Sequence, residues 1–138
     1  AYGTAMPALA THAPDLQRIE ELALRALARL PDAFRAHLSD VIVRVEEFAD
    51  DDTLADMGID DPFELTGLYS GRPVGEKSVT DSGAVPDVIH LYRRPILEEW
   101  IETGVSLEAL VTHVLVHEVG HHFGLSDDDM HTLEDAAE

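Results

Sequence analysis

Residues 107–123, LEALVTHVLVHEVGHHF, constrain the fold more than any other stretch of this chain. Leu107, Leu110, Val111 and Val114 recur at helical spacing, and the same spacing continues to His117, Glu118 and His121. Ionisable groups buried without partners are costly, so the pattern predicts a helix whose apolar face leads into a cluster that something must satisfy. Ser106 precedes the stretch as an N-terminal cap, and Gly124 follows it as a residue able to end the helix left-handed. The valines make this a weak helix in isolation, so packing must hold it. Gly120 costs about 1 kcal/mol relative to alanine inside a helix, which points to a close backbone approach there.

The remaining chain must supply that packing. Its 138 residues suit a single domain, and 45% hydrophobic content gives it material for one core. Leu16, Ile19, Leu22, Ala23, Ala26, Leu27 and Leu30 mark an amphipathic helix over residues 15–30, interrupted by Pro31. DAFRAHL adds a short helical piece, and Val41–Val45 reads as a strand. DDTLADMG reads as a short helix ended by Gly58. Extended stretches follow around 65–70 and 88–93, separated by the Gly-, Pro- and Ser-rich loop GRPVGEKSVTDSGAVPD. Pro95 to Thr103 reads as a helix closed by Gly104, and Trp100 and Phe123 as core aromatics. The expected organisation is a flexible segment at 1–14 followed by one domain over 15–138.

Composition narrows the chemistry. There is no cysteine, which excludes disulfides, thiolate zinc fingers and a cysteine nucleophile, so any zinc must be held by nitrogen and oxygen. Nine Lys and Arg stand against 28 Asp and Glu, a formal charge of −19. That balance argues against nucleic-acid or anionic-membrane partners, which need clustered cations. No apolar run approaches the ~20 residues of a membrane span, and the N-terminal AYGTAMPALATHAP does not read as a secretory leader, so a cytoplasmic protein is expected. Acidic clusters at 50–52, 60–61 and 127–129 lack the spaced D-x-D-x-D-G arrangement of a calcium loop. Five of eight histidines (His113, His117, His121, His122 and His131) fall in the last 26 residues, which locates the chemistry.

His117-Glu118-Val119-Gly120-His121 fits HExxH. Histidines four apart on a helix lie one above the other, about 6 Å of rise apart, so both imidazoles can converge on one ion. Glu118 is rotated off that line and can reach a water without ligating the metal. A catalytic zinc takes three protein ligands as a rule. The third must come from elsewhere, and Asp127, Asp128, Asp129 and His131 follow the Gly124 turn. His113, two turns from His121 and about 12 Å of rise away, is too far to join the same site and reads as a helix-face residue. His122 points away from the ligand face. The whole string HEVGHHFGLSD reads HExxHxxGxxD, which this composition yields by chance in roughly 3 of 10,000 chains of this length, against about 0.04 occurrences for HExxH alone.

That string resembles the signature of the Asp-zincins, and the short chain resembles the small bacterial mini-zincins, or zincin-like metallopeptidases. The resemblance implies an α+β fold: a minimal zincin in which a small, mixed, twisted sheet packs on the active-site helix and an N-terminal helix. It implies one Zn²⁺ per chain, held by His117, His121 and Asp127, with Glu118 as general base. It also implies a peptide or protein substrate, hydrolysed through a zinc-activated water. The chain departs from larger zincins in having no substantial domain after the motif and no distant Met-turn; Met130, three residues past Asp127, does not count as one.

An extended substrate could pair with an edge strand beside the helix, and residues 65–93 are candidates for that edge. Tyr69, His90, Tyr92, Arg93 and His131 are candidate donors to the transition state, among which the sequence does not choose. The competing expectation is a catalytically inert zincin-like module that binds metal or a partner. Retention of Glu118 favours the enzyme, because a structural site needs no general base.

Overall fold

The structure is a computed structural model that describes residues 12–71 and 86–137; most of the Gly- and Pro-rich loop and the expected flexible start fall outside them. It begins with helix α1 (Leu16–Ala28), which the Asp15 carboxylate caps by accepting the Arg18 N–H at 2.8 Å and which buries Ile19, Leu22, Ala23 and Ala26 along one face. The short helix α2 (Asp32–Arg35) leads into strand β1 (Ile42–Glu46). Helix α3 (Asp51–Met57), a 3₁₀ turn (Pro62–Glu64), strand β2 (Gly67–Ser70) and strand β3 (Val88–Tyr92) follow. Helices α4 (Arg93–Thr103), α5 (Leu107–Phe123) and α6 (Asp127–Ala137) complete the described chain.

The three strands form a mixed sheet in the order β1-β3-β2, with β1 parallel and β2 antiparallel to the central β3. Ile89 and Leu91 of β3 join Ile19, Leu22 and Ala23 of α1 and Val111, Leu115 and Val119 of α5 in the main core. A smaller cluster of Ala49, Leu54, Leu65 and Tyr92 lies beneath α3 and the 3₁₀ turn. The expected α+β architecture is therefore present, with the sheet packed on α5 and on the N-terminal helix. No helix among the described residues is long and apolar enough to cross a membrane.

Two local readings need correction. Helix α4 starts at Arg93 rather than Pro95. The proline costs nothing there, because first-turn amides have no partner within the helix; the neighbouring Arg94 N–H is met by the Glu47 carbonyl at 3.1 Å. Trp100 and Phe123 are only partly buried at the margin of the core, with Phe123 set edge-on against Phe34 at a ring separation of 4.9 Å.

Candidate metal centre

Helix α5 carries the site. Ser106 caps it by accepting the Ala109 N–H at 3.1 Å, and Gly124 ends it at φ +66°, a conformation that glycine adopts without strain. The chain turns back through Leu125 and Ser126, whose hydroxyl accepts the Asp129 N–H at 3.2 Å and starts α6. Gly120 sits where the two helices touch: a Cβ there would meet Met130 Sδ at 2.3 Å and Cγ at 2.7 Å. The expected close approach at Gly120 is thus supplied by Met130.

On the opposite side of α5 lies β2. A Cβ at Gly67 would meet Val114 Cγ1 at 2.8 Å, the His90 carbonyl at 3.2 Å and Glu118 Cγ at 3.4 Å, so glycine is what lets the strand lie against the helix. The Tyr92 N–H donates to the Thr66 carbonyl at 2.9 Å. In an antiparallel pair that phase turns the backbone groups of Gly67 and Tyr69 away from β3, toward the open side of β2. From there the Tyr69 N–H donates to the Glu118 carboxylate.

Between β2 and α6 the surface of α5 presents His113, His117 and His121. His113 and His117 are half-buried with ring centroids 4.3 Å apart, and the His121 side chain is 64% exposed. The apolar side seen in the first turns therefore opens to solvent at the histidines, and of the motif's three ionisable side chains only Glu118 is buried, 7% exposed. One of its carboxylate oxygens, Oε2, has no hydrogen-bond partner among the described residues and stands 3.7 Å from His121 Nδ1. Burial pushes the Glu118 carboxyl above its usual range, partly offset by His121 and the Tyr69 amide. Burial also lowers His117, as does the adjacent His113 ring, while Glu134 and Asp127 act in the other direction.

Asp127 opens α6 and is exposed, as are Asp128 and Asp129. As the side chains stand, no three His, Asp or Glu groups among the described residues form a metal cage. The donor set nevertheless suits zinc: two imidazoles four apart, a carboxylate at the next helix start, and beside them a buried carboxylate oxygen with no hydrogen-bond partner among the described residues.

Most of the candidate transition-state donors have other work. The Tyr69 hydroxyl donates to Asp87 and meets Nδ1 of His122, forming a buried network that sequence inspection missed. His90 pairs with Glu46 at 3.1 Å, and Arg93 binds the Pro14 carbonyl and Glu47. Tyr92 is buried. His131 remains, on α6 one turn beyond Asp127. His122 does point away from the ligand face, and it is fully buried. A cavity of about 340 Å³ lies elsewhere, lined by acidic residues including Asp61, Glu64, Glu98 and Glu102, with Thr66 at its side.

The model of the zincin-like metallopeptidase family matches residues 38–137. The chain belongs to that family. The matched span runs from just before β1 to the end of α6, so it takes in the sheet, α5 and the turn to Asp127. α1, which packs the zincin-like core from behind, precedes the match. No curated relative matches the chain.

Proposed function

We propose that this zincin-like chain is a zinc-dependent peptidase, with His117, His121 and Asp127 holding the ion and Glu118 acting as general base. The observation that carries this reading is the buried Glu118 carboxylate, with one oxygen lacking a hydrogen-bond partner among the described residues and the edge of β2 beside it. A structural metal site has no use for such a group; a hydrolase does. When bound, zinc supplies Lewis acidity that polarises a peptide carbonyl and makes water a better nucleophile near neutral pH.

The protein groups do the rest. Glu118 takes a proton from the attacking water and passes it to the leaving amine. Its raised proton affinity suits the first transfer, since a carboxylate of ordinary acidity is a weaker acceptor of the water's proton. The Tyr69 N–H fixes one carboxylate oxygen, leaving Oε2 on the histidine side. An extended peptide pairs with the open side of β2 and lies across α5, held by main-chain hydrogen bonds. The acidic surface favours cationic substrates, an attraction that salt screens.

The test is zinc retained per chain after loading and dialysis, in wild type and Asp127→Ala, followed by peptide-library cleavage by wild type and Glu118→Gln. The reading requires one strongly held zinc that weakens in Asp127→Ala, and cleavage that vanishes in Glu118→Gln while zinc stays bound. Zinc binding with no cleavage of any peptide by wild type would establish the inert metal-binding module instead.

A further inference from the structure

Val114, Glu118 and His122 stand at intervals of four on α5 and share the face that lies against β2, one stripe round from His113, His117 and His121. Gly67 packs on Val114 and Glu118, and the Tyr69 ring meets His122 with ring centroids 5.1 Å apart. Two strand residues advance about 6.6 Å and four helical residues about 6 Å, so strand and helix stay in register along this face. Tyr69 therefore grips α5 at two points one turn apart. Its N–H donates to the Glu118 carboxylate, and its hydroxyl meets Nδ1 of His122. The hydroxyl hydrogen goes to Asp87, so toward His122 the hydroxyl oxygen accepts from Nδ1–H. Asp87 ties the same point to the sheet. It is buried, lies 3.5 Å from His122 Nδ1, and its carbonyl accepts the Ile42 N–H at 3.0 Å where β1 begins. A Cβ at Gly71, where the chain leaves β2 at φ +145°, would run into the Asp87 carboxylate.

We propose that Asp87 and His122 are positioning residues that act through Tyr69 to hold the Glu118 carboxylate in place. Their catalytic consequence rests on Glu118 being the general base, as proposed above. Strand β2 is four residues long, bonded to β3 on one side and open on the other among the described residues. Short segments with backbone open to solvent are the first to loosen. Any sway of β2 carries the Tyr69 N–H away from Glu118 and leaves the base without the donor that orients it. Holding the hydroxyl from two directions removes that freedom at the residue whose amide sets the base. Misplacing a reacting group by about 1 Å is enough to slow a reaction severely, so the restraint has a catalytic consequence.

The test is amide hydrogen exchange in the metal-free protein, with zinc retention and the kcat and KM for a cleaved peptide measured beside it. The variants are Glu118→Ala, Tyr69→Phe, Asp87→Ala, His122→Leu and His122→Asn, the last keeping a side-chain N–H near the position of Nδ1. In the first four the residue 69 amide is expected to exchange about tenfold faster or more, while the Tyr92 amide, bonded to the Thr66 carbonyl, keeps its protection. His122→Asn should restore protection at residue 69. In Tyr69→Phe and His122→Leu, kcat should fall about tenfold or more with KM and zinc retention changed by no more than about twofold, and His122→Asn should recover most of that loss. Unchanged exchange at residue 69 in Tyr69→Phe, or an equal loss of protection at residues 69 and 92, would overturn the proposal by showing a network that serves stability alone. A wild type that cleaves no peptide would remove the peptidase reading, and the exchange measurements would still decide whether the network holds Glu118. Tyr69→Phe keeps the ring and its packing, so the test stands even if His122→Leu does not fold.

Discussion

Met130 packs so tightly on Gly120 that a methyl group at position 120 would overlap its sulfur. This contact lies one position from His121 and three from His117, and it ties the helix bearing the histidines to the helix that begins with Asp127. The methionine thus has a structural task at the site although it belongs to no Met-turn.

Gly120→Ala should therefore destabilise the protein despite its better helix propensity. Overpacking costs about 1–3 kcal/mol, against a propensity gain of about 1 kcal/mol. The net loss should be visible as a lower urea midpoint with an unchanged slope. Shortening the partner should relieve it: adding Met130→Ala to Gly120→Ala should cost less than the sum of the two single changes. Additive costs would show that the contact does not set the helix spacing.

Gly67→Ala tests the other wall. The new methyl group would press on Val114 and on the His90 carbonyl, and backbone cannot swing aside as a side chain can. The expected result is a loss of about 1–3 kcal/mol together with displacement of the Tyr69 amide from Glu118. In an active preparation, cleavage should fall by more than zinc affinity does. An equal fall in both would place the damage in global folding.

Tyr69→Phe removes a hydroxyl that binds both Asp87 and His122 inside the protein. Each partner loses a hydrogen bond in a buried setting, which should cost about 1–3 kcal/mol in urea unfolding. Zinc retention should be nearly unchanged, because the hydroxyl faces His122 and not the ligand stripe.

Tyr92 gives an alkaline signature. Burial, followed by the nearby carboxylates Glu46, Asp50 and Glu118, pushes its phenol up to about 12, against about 10 in an unfolded chain. A raised folded value means the stabilising contribution is complete below about pH 10 and is lost as pH climbs toward 12. Absorbance titration near 295 nm should show a late step that Tyr92→Phe deletes. A Tyr92 step near pH 10 would show that the ring is open to water.

The sequence by itself determined the parts governed by short spacing. The apolar positions of residues 107–123, the caps at Ser106 and Gly124 and the four-residue interval between His117 and His121 are local. Periodicity and capping chemistry act within a few residues, so α1, α3 and α5 were legible within about two positions, as were the strands. The tertiary structure decided what depends on residues far apart in the chain. It placed β3 between β1 and β2, which makes β2 the strand beside Glu118. It joined Tyr69 to His122, 53 positions away, and Glu134 to His113, 21 positions away. It also left His121 in solvent while burying Glu118 a single turn earlier. Helical spacing fixes which side chains share a face, but only the neighbours that cover the face decide which of them keep water.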